Sequence, residues 1–159
     1  MEEKIDISIV IPAFNESKRL PSFLKDIIDY CNKSKYIYEI IVVDDGSFDD
    51  TSEVVLSYRN IFPSLFVYKL RENRGKGYAV KYGLFKSRGY FSLFMDADGS
   101  VSAGEIEKNI FYLREGYDIF VGSRVVRGQE QILKTRLPRK IMGLIFNYFV
   151  KVILFNKIR

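Results

Sequence analysis

An α/β fold built on a mainly parallel sheet is what this sequence predicts, on three observations. Short β-branched apolar runs alternate with stretches whose apolar residues recur at helical spacing. The runs are continuous, as in buried strands. Each is followed by a polar cluster, often containing glycine, of the kind that marks a turn.

Taken in order, Ile7 to Phe14 reads as the first strand, and Leu20, Phe23, Leu24, Ile27, Ile28 and Cys31 then form one face of a helix. Glu39 to Val43 gives a second strand. The next helix start is marked by Asp50 with Glu53 three residues on, the spacing of a capping box. Leu65 to Leu70 reads as a third strand, and the turn at Gly75 and Gly77 opens a helix to about Ser87. Phe91 to Met95 forms a fourth strand, Ser102 and Glu105 make a second capping-box pair before a helix to about Leu113, and Ile119 to Val121 gives a last strand. This order implies parallel strands joined by right-handed helical crossovers.

Ligands of such sheets collect beyond the carboxyl ends of the strands, so the residues just after each strand carry the functional signal. They are Pro12-Ala13-Phe14-Asn15-Glu16, Asp44-Asp45-Gly46-Ser47, Asn73-Arg74-Gly75-Lys76-Gly77, Asp96-Ala97-Asp98-Gly99 and Gly122-Ser123-Arg124. All five are expected to point at one cleft.

Composition narrows the chemistry. The 159 residues suit one domain, and with 47% hydrophobic residues, 28% charged ones, 11 Tyr and 13 Phe the chain has ample material for a core. It contains no histidine, which excludes Ser-His-Asp and Cys-His triads, His-ligated zinc and imidazole acid–base catalysis. Cys31 is alone, so it forms no internal disulfide, and its helical apolar position reads as a core thiol. Any chemistry falls to carboxylates, cations, hydroxyls or a metal.

Asp96 and Asp98 flank a small Ala97 at a strand end, a spacing that lets two carboxylates face one Mg²⁺ or Mn²⁺ with room for a phosphate oxygen. A lone Asp-x-Asp is more often a solvated turn; here four other clusters converge on it. Asp44 and Asp45, with Gly46 for the sharp turn and Ser47 behind it, are expected to accept hydrogen bonds from a base or ribose. Pro12, Ala13, Asn15 and Glu16 are read together as the edge that meets a nucleotide. Gly75-Lys76-Gly77 is neither a Walker loop, since Leu70 and Gly77 stand where Gly and Ser/Thr are needed, nor a dinucleotide fingerprint, since Val80 replaces the third Gly. It reads instead as a helix N-terminus which, with Asn73, Arg74 and Lys76, meets an anionic part of a ligand. Arg124 and Arg127 are candidate phosphate contacts.

The formal charge of +5 is unevenly spread: residues 1–130 hold 18 Lys/Arg against 20 Asp/Glu, while residues 131–159 hold seven basic residues and no acid. The expected organisation is therefore a ligand-binding domain over 1–130 and a basic apolar segment over 131–159. Within that segment the run from Ile141 to Phe155 is shorter than the ~20 residues a membrane span needs. It reads as a helix lying in a membrane interface or as a core helix packed on further structure. With no basic, apolar leader at its start, the chain is expected in the cytoplasm, at the cytoplasmic face of a membrane. No nucleic-acid-binding module is recognisable, and the oligomeric state is open.

The blocks ISIVIPAFNE, IIVVDDGSFDDT, NRGKGYAVKYGLFKSRG, LFMDADGS and VGSR, in this order, resemble family 2 glycosyltransferases, and within them the dolichyl-phosphate β-glucosyltransferase and other polyprenyl-phosphate branches. The resemblance implies a nucleotide-diphospho-sugar transferase (GT-A) fold, a Rossmann-like sandwich on a mainly parallel sheet. It further implies that Pro12, Ala13, Glu16, Asp44 and Asp45 hold the nucleoside, that Asp96 and Asp98 hold Mg²⁺ or Mn²⁺, and that Lys76 and Arg124 handle phosphate and sugar. Asp98 and Arg124 would act at the reacting centre. The implied reaction is transfer of a hexose, with inversion, from a nucleotide sugar to a polyprenyl or dolichyl phosphate. UDP-glucose is the favoured donor and GDP-mannose the alternative. Relatives of this kind continue beyond the point matched by Arg159, so the chain corresponds to a donor half, and an inactive nucleotide-sugar-binding module is the rival expectation.

Overall fold

Four parallel strands in the order β3-β2-β1-β4 form the centre of the structure, a computed structural model that describes residues 4–119. The elements run β1 (Ile7–Ala13), α1 (Leu20–Lys33), β2 (Tyr38–Asp44), α2 (Thr51–Ser57), β3 (Leu65–Lys69), α3 (Lys76–Lys86), β4 (Phe91–Phe94) and α4 (Glu105–Arg114). Every strand–helix alternation expected up to α4 is present, with ends displaced by a residue or two. The strand expected over Ile119 to Val121, the boundary at residue 130, Arg124, Arg127 and the 131–159 segment lie wholly or partly outside the described residues.

β1 and β2 are buried along their whole length because each is covered on both sides. Ile7, Ile9, Ile11, Ile40 and Val42 face α1, whose Leu20, Phe23, Leu24, Ile27, Ile28 and Cys31 are all buried, and α2 and α4 add Val55, Ile106 and Ile110 to the same core. Burial pushes the Cys31 thiol up to about 12, so it stays protonated and serves as a small core residue.

The opposite sheet face holds Val10, Ile41 and Val43 against Ala79 of α3. Here the helix approaches so closely that a Cβ on Gly83 would lie 2.3 Å from Val10 Cγ1. Beneath the helix's far end, the buried carboxylate of Glu39 accepts hydrogen bonds from Ser8 Oγ (2.6 Å) and from the Arg88 N–H (2.6 Å) and Nε (2.9 Å). Ser8 Oγ in turn accepts the Gly89 N–H at 2.8 Å. A charge at a buried strand position is thus fully partnered, as burial requires.

Both capping-box expectations need correction. Asp50 is the N-cap residue of α2, but it makes no side-chain cap bond; the first helical N–H, that of Thr51, goes to the Asp49 carboxylate at 3.2 Å. At α4 the helix opens at Glu105 itself, after Gly104, and the Glu105 N–H donates to the Ser102 backbone carbonyl at 3.1 Å. Ser102 and Glu105 therefore close a turn ahead of the helix, because Glu105 occupies the first helical position and not the third.

The strand order carries the functional consequence. From β1 the chain moves outward through β2 to β3, then returns to place β4 on the other side of β1. Loops leaving β1 and β4 diverge at this reversal, which opens a crevice at the carboxyl ends of the strands.

Candidate functional site

A cleft of about 400 Å³ occupies that crevice. Its walls include Pro12, Ala13 and Glu16 from the end of β1, Asp45 from the end of β2, Asn73, Gly75 and Lys76 before and within the first turn of α3, and Asp96, Ala97 and Asp98 after β4. Four of the five strand-end clusters thus contribute to one cavity; the fifth, with Arg124, lies outside the described residues, as does Arg127. Phe14, which the sequence placed in the first cluster without a role of its own, also lines the cleft, as do Arg19 and Ala79, which the sequence did not single out.

Within the clusters, adjacent residues do different jobs. Asp44 is fully buried: one oxygen accepts the Ser47 N–H at 2.8 Å, the other accepts the Ser52 hydroxyl, and Lys69 Nζ stands 3.9 Å away. It does not line the cleft, so its expected contact with a base or ribose has no surface to act through; it locks the turn into α2 instead. Asp45, one residue on, does reach the cleft. Its two oxygens accept the backbone N–H groups of Arg74 (2.9 Å) and Gly75 (2.8 Å), leaving further lone pairs for a ligand.

Asp45 thereby fixes the loop before α3, and Gly46 makes room for it. Gly46 has φ +74°, and a Cβ there would sit 2.6 Å from the Glu72 carbonyl carbon and 2.7 Å from the Asn73 nitrogen. Only glycine fits both the backbone angle and the space.

Asn15 and Ser47 are spent on tying two loops together. The Asn15 N–H donates to Ser47 Oγ (2.9 Å), Asn15 Oδ1 accepts the Phe48 N–H (3.0 Å), and the Glu16 and Ser17 N–H groups donate to Thr51 Oγ1 (2.9 Å) and Asp49 Oδ2 (3.1 Å). Asn15 adopts φ +55°, a left-handed conformation that Asn tolerates better than most residues. Neither Asn15, Ser47, Gly46 nor Gly77 lines the cleft; Asn15, Ser47 and Gly46 support the loops whose residues do.

Slight burial raises the Asp49 carboxyl, but hydrogen bonds from Thr51 and Ser17 outweigh it and hold the group at about 2. Glu16 is gripped by its neighbour Arg19, whose Nε and Nη2 donate to the two carboxylate oxygens at 2.7 and 2.5 Å. Arg19 was not anticipated, although the i, i+3 spacing with Glu16 could have signalled it. Phe14 presents a ring at the cleft and meets Phe48 edge-on, with centroids 6.2 Å apart.

Within the same cleft, Lys76 Nζ lies 2.6 Å from Asp96 Oδ1. Asp98 is exposed and accepts the Ser100 N–H at 2.9 Å. Among the described residues no group of three or more His, Cys, Asp or Glu side chains could hold a metal ion. Two carboxylates beside an open cavity nevertheless suit Mg²⁺ or Mn²⁺, which commonly takes one or two protein carboxylates and completes its shell with water and substrate phosphates.

A family model for glycosyl transferase family 2 matches residues 8–158. A dolichyl-phosphate beta-glucosyltransferase of Dictyostelium discoideum is 37% identical over 163 residues, covering 95% of this chain and 50% of that protein. The chain spans about half the length of the curated relatives it matches. Among solved structures, S. aureus TarS 1-349 in complex with UDP-GlcNAc aligns with a TM-score of 0.59 and 28% identity, over 70% of this chain and 32% of that one. Mannosyltransferase PcManGT from Pyrobaculum calidifontis, in complex with GDP-Man and Mn²⁺, aligns with a TM-score of 0.52 and 25% identity, over 61% of this chain and 28% of that one.

Proposed function

This chain belongs to glycosyl transferase family 2, and from that premise we propose that its strand-end cleft binds a nucleoside-diphosphate sugar, UDP-glucose in the first instance, for inverting transfer of the hexose to a polyprenyl or dolichyl phosphate. The fold is of the GT-A type. The observation that carries the reading is the cleft itself. Pro12, Ala13 and Phe14 line it beside the Asp45 carboxylate, and Lys76, Asp96 and Asp98 bring charged groups to the same cavity.

That combination matches a nucleoside diphosphate, which is flat and hydrogen-bonding at one end and polyanionic at the other. Phe14 offers a ring face to a base, and Asp45 offers acceptor lone pairs to ribose hydroxyls. Lys76 and the N-terminal amides of α3 meet the diphosphate. Asp96 and Asp98 would hold Mg²⁺ or Mn²⁺, which when bound supplies positive charge to the leaving diphosphate.

In the reaction, an oxygen of the lipid phosphate bonds to the anomeric carbon as the bond from that carbon to the donor's phosphate oxygen breaks. The nucleoside diphosphate leaves with the electron pair, and the configuration inverts. A phosphate monoester with a second pKa near ~6 is already ionised at neutral pH. The nucleophile therefore needs no general base, and the absence of histidine from the sequence is no obstacle to this chemistry. The remaining demand is stabilisation of charge on the departing diphosphate, met by Lys76 and, on our reading, by Arg124. We assign peripheral membrane contact, at the cytoplasmic face where the lipid acceptor would be met, to the basic apolar segment 131–159.

Calorimetric titration of UDP and of GDP, each with and without Mn²⁺, tests the donor site. UDP binding that requires Mn²⁺ and is lost in Asp96→Ala or Asp98→Ala is expected. Preference for GDP would move the donor to GDP-mannose, the reading favoured by the likeness to the GDP-Man-bound mannosyltransferase. Binding of neither nucleotide would refute the reading. Full binding with no glucose transfer to polyprenyl phosphate would reduce the chain to a donor-binding module.

A further inference from the structure

Lys76 is not a loose surface cation. It is the first residue of α3, directly after Gly75 at φ +89°, and the Gly75 N–H is held by Asp45 Oδ2 at 2.8 Å and Asn73 Oδ1 at 3.1 Å. With the Arg74 N–H also bound to Asp45, the backbone that carries Lys76 is fixed to the end of β2. From this anchored turn the ammonium spans the cleft to Asp96, on the far side of β1.

The pair does little for folding. The Lys76 side chain is 57% and that of Asp96 38% exposed, and ion pairs at such exposure contribute little to stability. What the pair does is place a unit positive charge on one of the two carboxylates that would hold a divalent cation. A carboxylate with an ammonium at 2.6 Å presents a weaker field to a second cation, and the ammonium repels it. A nucleoside diphosphate changes this balance, because its phosphates give Lys76 an alternative anionic partner within the same cavity.

Resting on the donor-site reading above, we infer that Lys76 acts as a stand-in cation for Asp96 before the nucleotide arrives and transfers to the donor's diphosphate when it does. Metal and nucleotide binding are then coupled: the cation alone binds weakly, and UDP releases Asp96 to hold it. By linkage, Mn²⁺ tightens UDP by the same factor that UDP tightens Mn²⁺.

Mn²⁺ binding to the full chain, read from the electron paramagnetic resonance signal of the free ion, tests this with and without UDP. In the wild-type chain Mn²⁺ alone is expected to bind weakly and UDP to tighten it. In Lys76→Met, Mn²⁺ alone is expected to bind about tenfold more tightly than in the wild type, within the ordinary range of coupling between ligands, and the further tightening by UDP should shrink. Lys76→Arg, which keeps the charge, should behave as wild type, and adding Asp96→Asn to Lys76→Met should abolish the gain. Unchanged Mn²⁺ affinity in Lys76→Met, while the wild type still binds Mn²⁺ with UDP through Asp96, would overturn the stand-in role and leave the donor site intact. UDP-dependent Mn²⁺ binding indifferent to Asp96→Asn would instead overturn the metal site itself.

Discussion

Gly83→Ala sets two opposing effects of comparable size against each other, and the structure says which wins. In a helix interior, Ala is favoured over Gly by about 1 kcal/mol. At this position, however, the new Cβ would lie 2.3 Å from Val10 Cγ1 and 3.1 Å from Val43 Cγ2, where carbon atoms normally rest about 3.5–4.0 Å apart. Val10 is fully buried in the middle of β1, so the overlap of more than an ångström is relieved only by lifting α3 or by forcing Val10 off its rotamer. Overpacking of this kind costs about 1–3 kcal/mol, so once the ~1 kcal/mol gain from Ala is subtracted the net expectation is a loss of up to about 2 kcal/mol. Urea unfolding of wild type, Gly83→Ala, Val10→Ala and the double variant measures it. Val10→Ala alone removes two buried methyl groups, worth about 2 kcal/mol. In the double variant the methyl introduced by Gly83→Ala occupies the space vacated by Val10, so the two losses should fall short of their sum by about 1 kcal/mol or more. Because α3 starts with Lys76 at the cleft, the single variant should also weaken nucleotide binding, and the double variant should restore it. A Gly83→Ala chain more stable than wild type, or strictly additive losses, would refute the close-packing argument.

Two further predictions follow from the loop network and from the tail. The folded Asp49 carboxyl sits at about 2, below its ordinary 3.8, so its stabilising contribution is complete above about pH 4 and is lost as pH falls toward 2. Thermal melts between pH 6 and pH 2 should show Asp49→Asn losing less stability across that window than wild type, and parallel curves would refute the assignment. Residues 131–159 should carry salt-sensitive flotation with anionic vesicles, and the deletion of those residues should abolish it; absence of flotation at low salt would refute a membrane role for this segment.

Periodicity and turn chemistry made the elements legible up to α4, and for α1 they identified every buried residue. The reason is that β1, β2 and α1 obey one dominant constraint, burial, which writes itself directly into residue type. Capping was less legible: Asp49, not Asp50, receives the first N–H of α2, a choice of one residue that depends on where the cross-loop bond from Ser17 fixes the carboxylate. The strand order was legible only as parallel with crossovers, since the position of β4 beside β1 depends on packing between distant segments.

The same division runs through the site. Strand-end clusters marked where a ligand cleft should open, because ligands of parallel sheets collect beyond the carboxyl ends of the strands, and four of them do meet. Which member of a cluster faces the cavity was not legible. Asp44 and Asp45 have the same chemistry and adjacent numbers, yet the strand pleat turns the first inward to Ser47 and Ser52 and leaves the second at the cavity. Asn15 and Ser47 likewise satisfy each other's loops, an outcome fixed by a contact 32 residues apart in sequence. A cleft for a polyanion needs donors held in place before the ligand arrives, and residues spent on loop-to-loop bonds do that holding. The side chains that do not touch the cavity are therefore as much a part of the binding design as Lys76 and Asp96. Substituting Asp44 or Asn15 should loosen the site without removing a single lining group.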